Sequence, residues 1–253
     1  MESNTTTAQY LARINYTGSV EPTLEVLTAL QKAHLMNVPF ENLSVYYQTK
    51  VDFNHLYDKI VNQKRGGFCY ELNWPFHQLL LHLGFEAKVV SARVYDPKNG
   101  FGAEFDHMVV IVTIGPSDYL VDVGFGEFSL APVKIELHAE HTDPRGTFKI
   151  EAYDDTYKLI KRKNDKGEFL PVYIFSELKR ELNEFSEMCT FHQTSPQSPF
   201  THKRLVTMLV GEGRVTLTGD TLKTTINGTV TDKELSSEEE VKKVLTDIFN
   251  INM

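Results

Sequence analysis

A pair of glycines set directly before a cysteine constrains this chain more than any other feature. The segment Arg65-Gly66-Gly67-Phe68-Cys69-Tyr70-Glu71-Leu72-Asn73 puts one of its two cysteines behind Gly66 and Gly67 and at the head of an apolar run. Two glycines permit a tight turn and a backbone approach that side chains would block. The run itself, Trp74, Phe76, Leu79, Leu80 and Leu83, has helical spacing and stops at Gly84. Cys69 thus stands at a helix N-terminus, where unpaired N–H groups and the helix dipole favour an anion. Thiolate is the nucleophilic form of cysteine. The segment reads either as a reactive cysteine or as a buried structural thiol beside a loop.

Composition narrows the class. A chain of 253 residues suits one large domain or two or three small subdomains with shared cores. A net charge of -8 and a sequence pI of about 5.6 argue against a nucleic-acid or anionic-membrane partner. A local basic patch for an anionic cofactor is still compatible with that balance. No apolar run approaches the ~18 residues that span a bilayer. The polar stretch from Met1 to Thr7 lacks the regions of a secretory signal. Two cysteines, Cys69 and Cys189, do not make a disulfide framework. The expectation is a cytoplasmic chain, with Cys189 a structural or incidental thiol.

The first third reads as helical. Tyr10, Leu11 and Ile14 mark one helix, and Pro22 opens a second with Leu24, Leu27 and Leu30 on one face. Leu56 and Ile60 mark a further turn or two. Strands follow over Lys88–Tyr95, His107–Ile114 and Tyr119–Val123, then near Phe148–Ile150, Tyr157–Ile160 and Val172–Phe175. They suggest a small barrel or curled sheet. Ser176 to Met188 reads as an amphipathic helix on Leu178, Leu182 and Phe185. Arg204–Val210, Arg214–Leu217 and Leu222–Ile226 read as strands, with Asn227-Gly228 as a hairpin turn. Ser237 and Glu240 form a capping box that opens a last helix with Val241, Val244, Leu245 and Ile248 inward.

A reactive Cys69 needs a base, and the base needs an orienting group. His107 opens the strongest strand. Asp122 lies in the next one, among Leu120, Val121 and Val123, where a carboxylate is costly unless paired. A hairpin between these strands would set Asp122 against one nitrogen of His107 and turn the other toward Cys69. Taken singly, His107 also reads as a satisfied strand-end histidine and Asp122 as a turn residue before Gly124. Their order after Cys69 favours a triad. His138 and His141 are three apart, but no cysteine or carboxylate cluster is read as completing a metal site with them, so no metal is expected.

Five ordered blocks resemble the arylamine N-acetyltransferase family of the bacterial type. Arg65 to Asn73 is similar to its R-G-G-x-C-x-E-x-N signature, and Val38-Pro39-Phe40-Glu41-Asn42-Leu43 to its V-P-F-E-N-L segment. Asp106-His107 and Val121-Asp122-Val123-Gly124-Phe125-Gly126 resemble its histidine and aspartate blocks. Gln193-Thr194-Ser195-Pro196, with Ser198 and Phe200, resembles a later block. The end of the chain is the least matched part.

The resemblance implies an α+β fold with a cysteine-peptidase- or transglutaminase-like core. Its parts would be an N-terminal helical bundle over residues 1–84, a central antiparallel β-barrel over 85–190 and a C-terminal α/β lid over 191–253. It implies a triad of Cys69, His107 and Asp122. Acetyl-CoA would acetylate Cys69, and an arylamine, arylhydrazine or N-hydroxyarylamine would take the acetyl group in a ping-pong cycle. Phe40, Phe68, Phe125 and Phe128 are candidate walls for a flat aromatic acceptor, each also readable as plain core. Glu127 beside them would favour amine-bearing acceptors. No glycine-rich phosphate loop is present. A groove between barrel and lid, as the resemblance implies, points by position to Val94, Tyr95, Gly102 and Ala103, and to Phe191, Thr194 and Ser198, for CoA. Lys203 and Arg204 are candidate phosphate partners, while Lys161-Arg162-Lys163 reads as a solvated strand end. A cysteine peptidase or transglutaminase-like acyl transferase would use the same triad on a peptide amide. A non-catalytic small-molecule binding protein would leave Cys69 with an ordinary ionisation.

Overall fold

The computed structural model describes residues 2–211 and 213–252, with side chains from Thr6 onward. Met1 and Met253, the ends of the first and third expected parts, lie outside the described residues. The chain begins with α1 (Glu2–Arg13) and α2 (Leu24–Asn37). The hydroxyl of Thr23 accepts the Val26 N–H and caps α2, so the helix opens after this threonine and not at Pro22. The short β1 (Phe40–Glu41) and α3 (Leu43–Tyr46) lead through two irregular turns to α4 (Cys69–His82).

Next come β2 (Glu86–Asp96), β3 (Gly100–Phe101), β4 (His107–Ile114), β5 (Ser117–Val121) and β6 (Val133–Lys134). The strands β7 (Glu140–Asp143), β8 (Gly146–Ala152), β9 (Tyr157–Lys163) and β10 (Phe169–Lys179) follow. Their order in the sheet is β6-β5-β4-β2-β10-β9-β8-β7, with β3 paired to β2. Ile135 N–H donates to the Asp118 carbonyl in β5, and His138 N–H to the Ile150 carbonyl in β8. The segment after β6 therefore spans the two ends, and the sheet is a nearly closed antiparallel barrel.

Along β4 the side chains alternate between two cores. Val109 and Ile111 pack inside the barrel with Leu120, Tyr173 and Phe175. Met108, Val110 and Val112 pack outward with Leu72, Phe76 and Leu79 of α4. Both faces of β4 are buried, which is why its sequence is a continuous apolar run.

The remainder comprises α5 (Ser186–Thr194), β11 (Leu205–Val210), β12 (Gly213–Thr218), β13 (Thr221–Ile226), β14 (Thr229–Glu234) and α6 (Glu238–Asp247). A second antiparallel sheet runs β1-β11-β12-β13-β14. Its first strand comes from the N-terminal part, with Phe40 opposite Thr207. Asn227 and Gly228, both at positive φ, make the two-residue turn between β13 and β14. Val241, Leu245 and Phe249 seal that sheet against Val206 and Leu217. At the start of α6, Ser237 accepts the Glu240 N–H, while the Glu240 carboxylate takes the N–H of Ser236 and not that of Ser237.

One expected element is different. The helix read over Ser176–Met188 is in its first part the end of β10, which pairs with β9 as far as Ser176 opposite Tyr157 and with β2 at Lys179 opposite Val90. Phe175 is buried in the barrel, Leu178 is exposed, and the register to β2 shifts between Phe175 and Lys179. Leu182 and Phe185 lie in a 3₁₀ turn, and the helix starts only at Ser186. The spacing of these three apolar residues imitates a helical face, but the strand ladders extend through the first of them. Among the described residues, no helix is long and apolar enough to cross a membrane.

Candidate active site

The turn that presents Cys69 is clamped from below by buried charges. Arg65 donates to Glu41 Oε1 at 2.8 Å, and Lys59 donates to Glu71 Oε1 at 2.6 Å. Glu41 Oε2 also accepts the Leu43 N–H at 2.6 Å, and Glu71 Oε2 the Phe68 N–H at 3.2 Å. Burial would raise both carboxyls. At Glu41 the cations Lys59 and Arg65 outweigh it and the net shift is downward, whereas Glu71 stays raised. The glycines let this turn lie flat on β1. Glu41 N–H donates to the Gly67 carbonyl at 2.9 Å, and a Cβ on Gly66 would stand 2.0 Å from the Pro39 carbonyl oxygen.

Cys69 is the first residue of α4 and is buried. Position at a helix start predicts an easily ionised thiol, but burial dominates and pushes it well above its ordinary value. A hydrogen bond from the Met108 backbone works the other way, and the carboxylates of Asp106 and Asp122 add to the upward shift.

His107 and Asp122 meet at the end of the β4–β5 pair. His107 Nε2 lies 2.7 Å from Asp122 Oδ2. Asp122 is fully buried, and its other oxygen accepts the Asn73 Nδ2 and the Gly124 N–H, each at 2.9 Å. Asn73 also donates to the Met108 carbonyl at 2.6 Å and accepts the Val123 N–H at 2.9 Å. One amide therefore stitches α4 to β4 and to the end of β5. Gly124 is where the chain passes closest: a Cβ there would meet Cys69 Cα and Asn73 Nδ2, both at 2.7 Å.

Cys69 and His107 border one cleft of about 780 Å³. Phe40 and Phe125 border it too, as do Val94, Tyr95, Gly102, Ala103 and Phe191. Other named candidates lie elsewhere. Phe68 is fully buried beneath the cleft, against Tyr70 and Phe200. Phe128 is buried in the barrel core against Phe148 and Tyr173. Thr194 faces a separate surface depression, and Ser198 is buried with its hydroxyl donating to the His192 carbonyl. Glu127 points away from the cleft toward Arg145 and Arg162. Arg204 is buried and already paired with Glu238 and Asp220. Arg162 is no free strand end, because it bonds the Arg145 carbonyl at 2.6 Å. Cys189 is buried, and burial first of all pushes its thiol up to about 12.

Sequence reasoning assigned no task to Asn73, His192 or Tyr173. The Asn73 signal was present, since it is four residues after Cys69 and so on the same helix face. His192 borders the cleft, its Nε2 lies 3.2 Å from the Asp106 carbonyl, and its ring packs on Phe68, Tyr70 and Phe200. The Tyr173 ring packs at a tilt against both His107 and Phe125, at ring distances of 5.4 Å. Nothing local in sequence marks either one, because each reaches the site from a distant element.

Comparison with known proteins agrees with this arrangement. The N-acetyltransferase family model matches residues 23–253. The pineal gland isozyme NAT-10 of arylamine N-acetyltransferase from Gallus gallus is 33% identical, over 97% of this chain and 93% of the relative. An arylamine N-acetyltransferase structure from Mycobacterium marinum has a TM-score of 0.90 at 30% identity, covering 97% of this chain and 93% of that one. A structure of the Mycobacterium marinum enzyme in complex with CoA has a TM-score of 0.88 at 30% identity, over 97% and 92% of the two chains. Matched along nearly its whole length in sequence and in fold, the chain belongs to the arylamine N-acetyltransferase family of enzymes.

Proposed function

We propose that the chain transfers an acetyl group from acetyl-CoA to an arylamine, arylhydrazine or N-hydroxyarylamine through an acetyl-thioester on Cys69. The observation that carries this reading is the His107–Asp122 pair at 2.7 Å on the same cleft as Cys69. Asp122 holds Nε2 of the ring, so Nδ1 is the nitrogen left to take the Cys69 proton. Burial raises the Cys69 thiol, so a base beside it is needed to take the proton and free the sulfur for attack.

The sulfur adds to the thioester carbon and an oxyanion forms. First-turn N–H groups of α4, which have no partner inside the helix, can hold it. The intermediate collapses, the C–S bond to CoA breaks, and the CoA thiolate takes the proton from His107. One thioester replaces another, so this half-reaction is near balance. The acceptor amine then attacks acetyl-Cys69, His107 removes the amine proton, and the thiol is restored.

Phe40 and Phe125 offer apolar faces for a flat ring. Among the described residues, the carboxyls on the cleft border are those of Asp96 and Asp106. They, not Glu127, would favour an acceptor that carries an amine.

The test is to incubate the protein with acetyl-CoA without amine and to measure the intact mass. One acetyl group on Cys69 is the expected result. Wild-type turnover by Cys69→Ala would sink the mechanism.

A further inference from the structure

The turn that leads into His107 is strained. Phe105 has a φ of 64°, in the left-handed region that a bulky aromatic residue rarely enters. Strain of this kind persists only where the surroundings over-determine it, and it gathers at functional sites. Phe105 and Asp106 precede the β4 ladder, whose pairing with β2 starts at His107 opposite Ala92. Side chains, and not strand pairing, must therefore hold them.

Four side chains do so. Ser91 Oγ, on β2, accepts the Phe105 N–H at 2.9 Å. The Tyr70 hydroxyl donates to the Phe105 carbonyl at 2.7 Å and lies 3.3 Å from the Asp106 carbonyl. His192 Nε2, on α5, stands 3.2 Å from that second carbonyl and 3.4 Å from Asp106 Oδ1. Both of those oxygens are acceptors, so Nε2 carries the hydrogen. Asp106 Oδ2 in turn accepts the Val94 N–H at 3.2 Å. Tyr70, Ser91 and His192 are buried, where such bonds are strong and a missing one is costly. Burial, then the nearby Cys69, raises the Tyr70 hydroxyl well above its ordinary value and keeps it a donor. His192 Nδ1 has no hydrogen-bond partner among the described residues, so Nε2 is the polar tie that orients the ring.

These bonds link the helix of the nucleophile to the strand of the base. Tyr70 follows Cys69 on α4, and the Asp106 carbonyl belongs to the peptide that enters His107. Asn73 ties the same helix to the Met108 carbonyl, one residue past His107. The helix thus grips β4 on both sides of the base.

We infer that Tyr70 and His192 are positioning residues, which hold the strained Phe105–Asp106 turn so that the ring of His107 stays aimed at Cys69. This rests on the proposed mechanism, in which His107 takes the Cys69 proton. Asp122 holds the ring by one nitrogen, and the turn holds the backbone from which the ring hangs. A slack turn would let Phe105 relax toward negative φ and carry His107 with it. A displacement of about 1 Å near reacting groups can cost up to ~10²-fold in rate.

The experiment follows alkylation of the Cys69 peptide by iodoacetamide, read by mass, at about pH 7 and about pH 10. His107 assists the first rate, while hydroxide takes over in the second. Tyr70→Phe should lower the ratio of the two rates roughly tenfold, and kcat with it. His192→Phe should act in the same direction. His192→Gln, which keeps a donor, should restore most of that loss. Phe105→Gly removes the strain, so adding Tyr70→Phe to it should cost less than Tyr70→Phe alone. Should Tyr70→Phe fail to fold, Ser91→Ala withdraws the acceptor of the Phe105 N–H and should lower the ratio likewise. An unaltered ratio in whichever of these two variants folds would overturn the role of the turn. A ratio as low in His192→Gln as in His192→Phe would overturn the role of His192, and equal costs of Tyr70→Phe with and without Phe105→Gly would overturn the part given to strain. Ratios that fall as expected, in a protein that takes no acetyl group from acetyl-CoA, would support the turn and count against the proposed donor instead.

Discussion

His107 Nε2 and Asp122 Oδ2 stand 2.7 Å apart at the ends of adjacent strands, with the carboxylate fully buried. Three donors converge on that carboxylate, from His107, Asn73 and the Gly124 backbone. A buried carboxylate so surrounded fixes which nitrogen of the imidazole is engaged and which is free.

Replacing it is the most direct probe of the pair. Asp122→Asn preserves shape but offers no charge to hold a protonated ring. The rate of Cys69 alkylation should fall, and kcat/KM with it, by about 10²-fold or more. An unchanged pH dependence of alkylation in this variant would refute the proposed role of Asp122.

Asn73→Ala tests the stitch between helix and barrel. It leaves the Met108 carbonyl, the Val123 N–H and one Asp122 oxygen short of a partner. The expected loss is about 3 kcal/mol of stability by urea unfolding, together with reduced Cys69 reactivity. A variant as stable as the parent would mean that water replaces the amide.

Gly124→Ala tests close approach. Its Cβ would need to push Cys69 Cα, a backbone atom, from 2.7 Å, so relief requires α4 to move. Both thermal stability and activity should drop. Gly84→Ala is a useful contrast. Nothing stands within 4 Å of its Cβ, its strain is that of a positive φ alone, and it should spare the site.

His34 supplies the acid limb of stability. It is fully buried beside Phe76, with Nδ1 3.1 Å from the Tyr10 hydroxyl. Burial first of all lowers it from 6.5 to about 3. Below pH ~6.5 the unfolded chain binds a proton that the folded one refuses until about 3. Stability is therefore lost as pH falls through that window, on the order of a few kcal/mol. His34→Gln should flatten this limb, read as a lower midpoint in acid unfolding. An unshifted midpoint would assign the acid sensitivity to other groups.

Much of this molecule is legible in local pattern. The apolar run of β4, the Asn227-Gly228 turn and the glycine stop at Gly84 are visible because each depends on near neighbours. Leu178, Leu182 and Phe185 mislead because a strand end followed by a turn can imitate a helical repeat, and only the ladders to β9 and β2 decide. The aromatic candidates divide for a similar reason. Phe40, Phe68, Phe125 and Phe128 look alike in sequence, but the packing sends Phe40 and Phe125 to the cleft and Phe68 and Phe128 beneath it.

Sequence by itself determined which chemical groups are present and in what order: a cysteine behind two glycines, a histidine opening a strand, a carboxylate at the end of the strand that follows. Those are properties of neighbouring residues and of backbone period. Tertiary structure alone decided the burial of Cys69, the charge of the cleft and where the cations of the chain gather. Burial pushes that thiol up, opposite to what a helix start alone predicts. Arg204 is spent on two carboxylates from other elements, while Arg145, Arg162 and Arg214 gather from three strands or loops around one glutamate. Solvation and Coulomb interactions act through space, so they belong to the folded chain and not to the order of its residues.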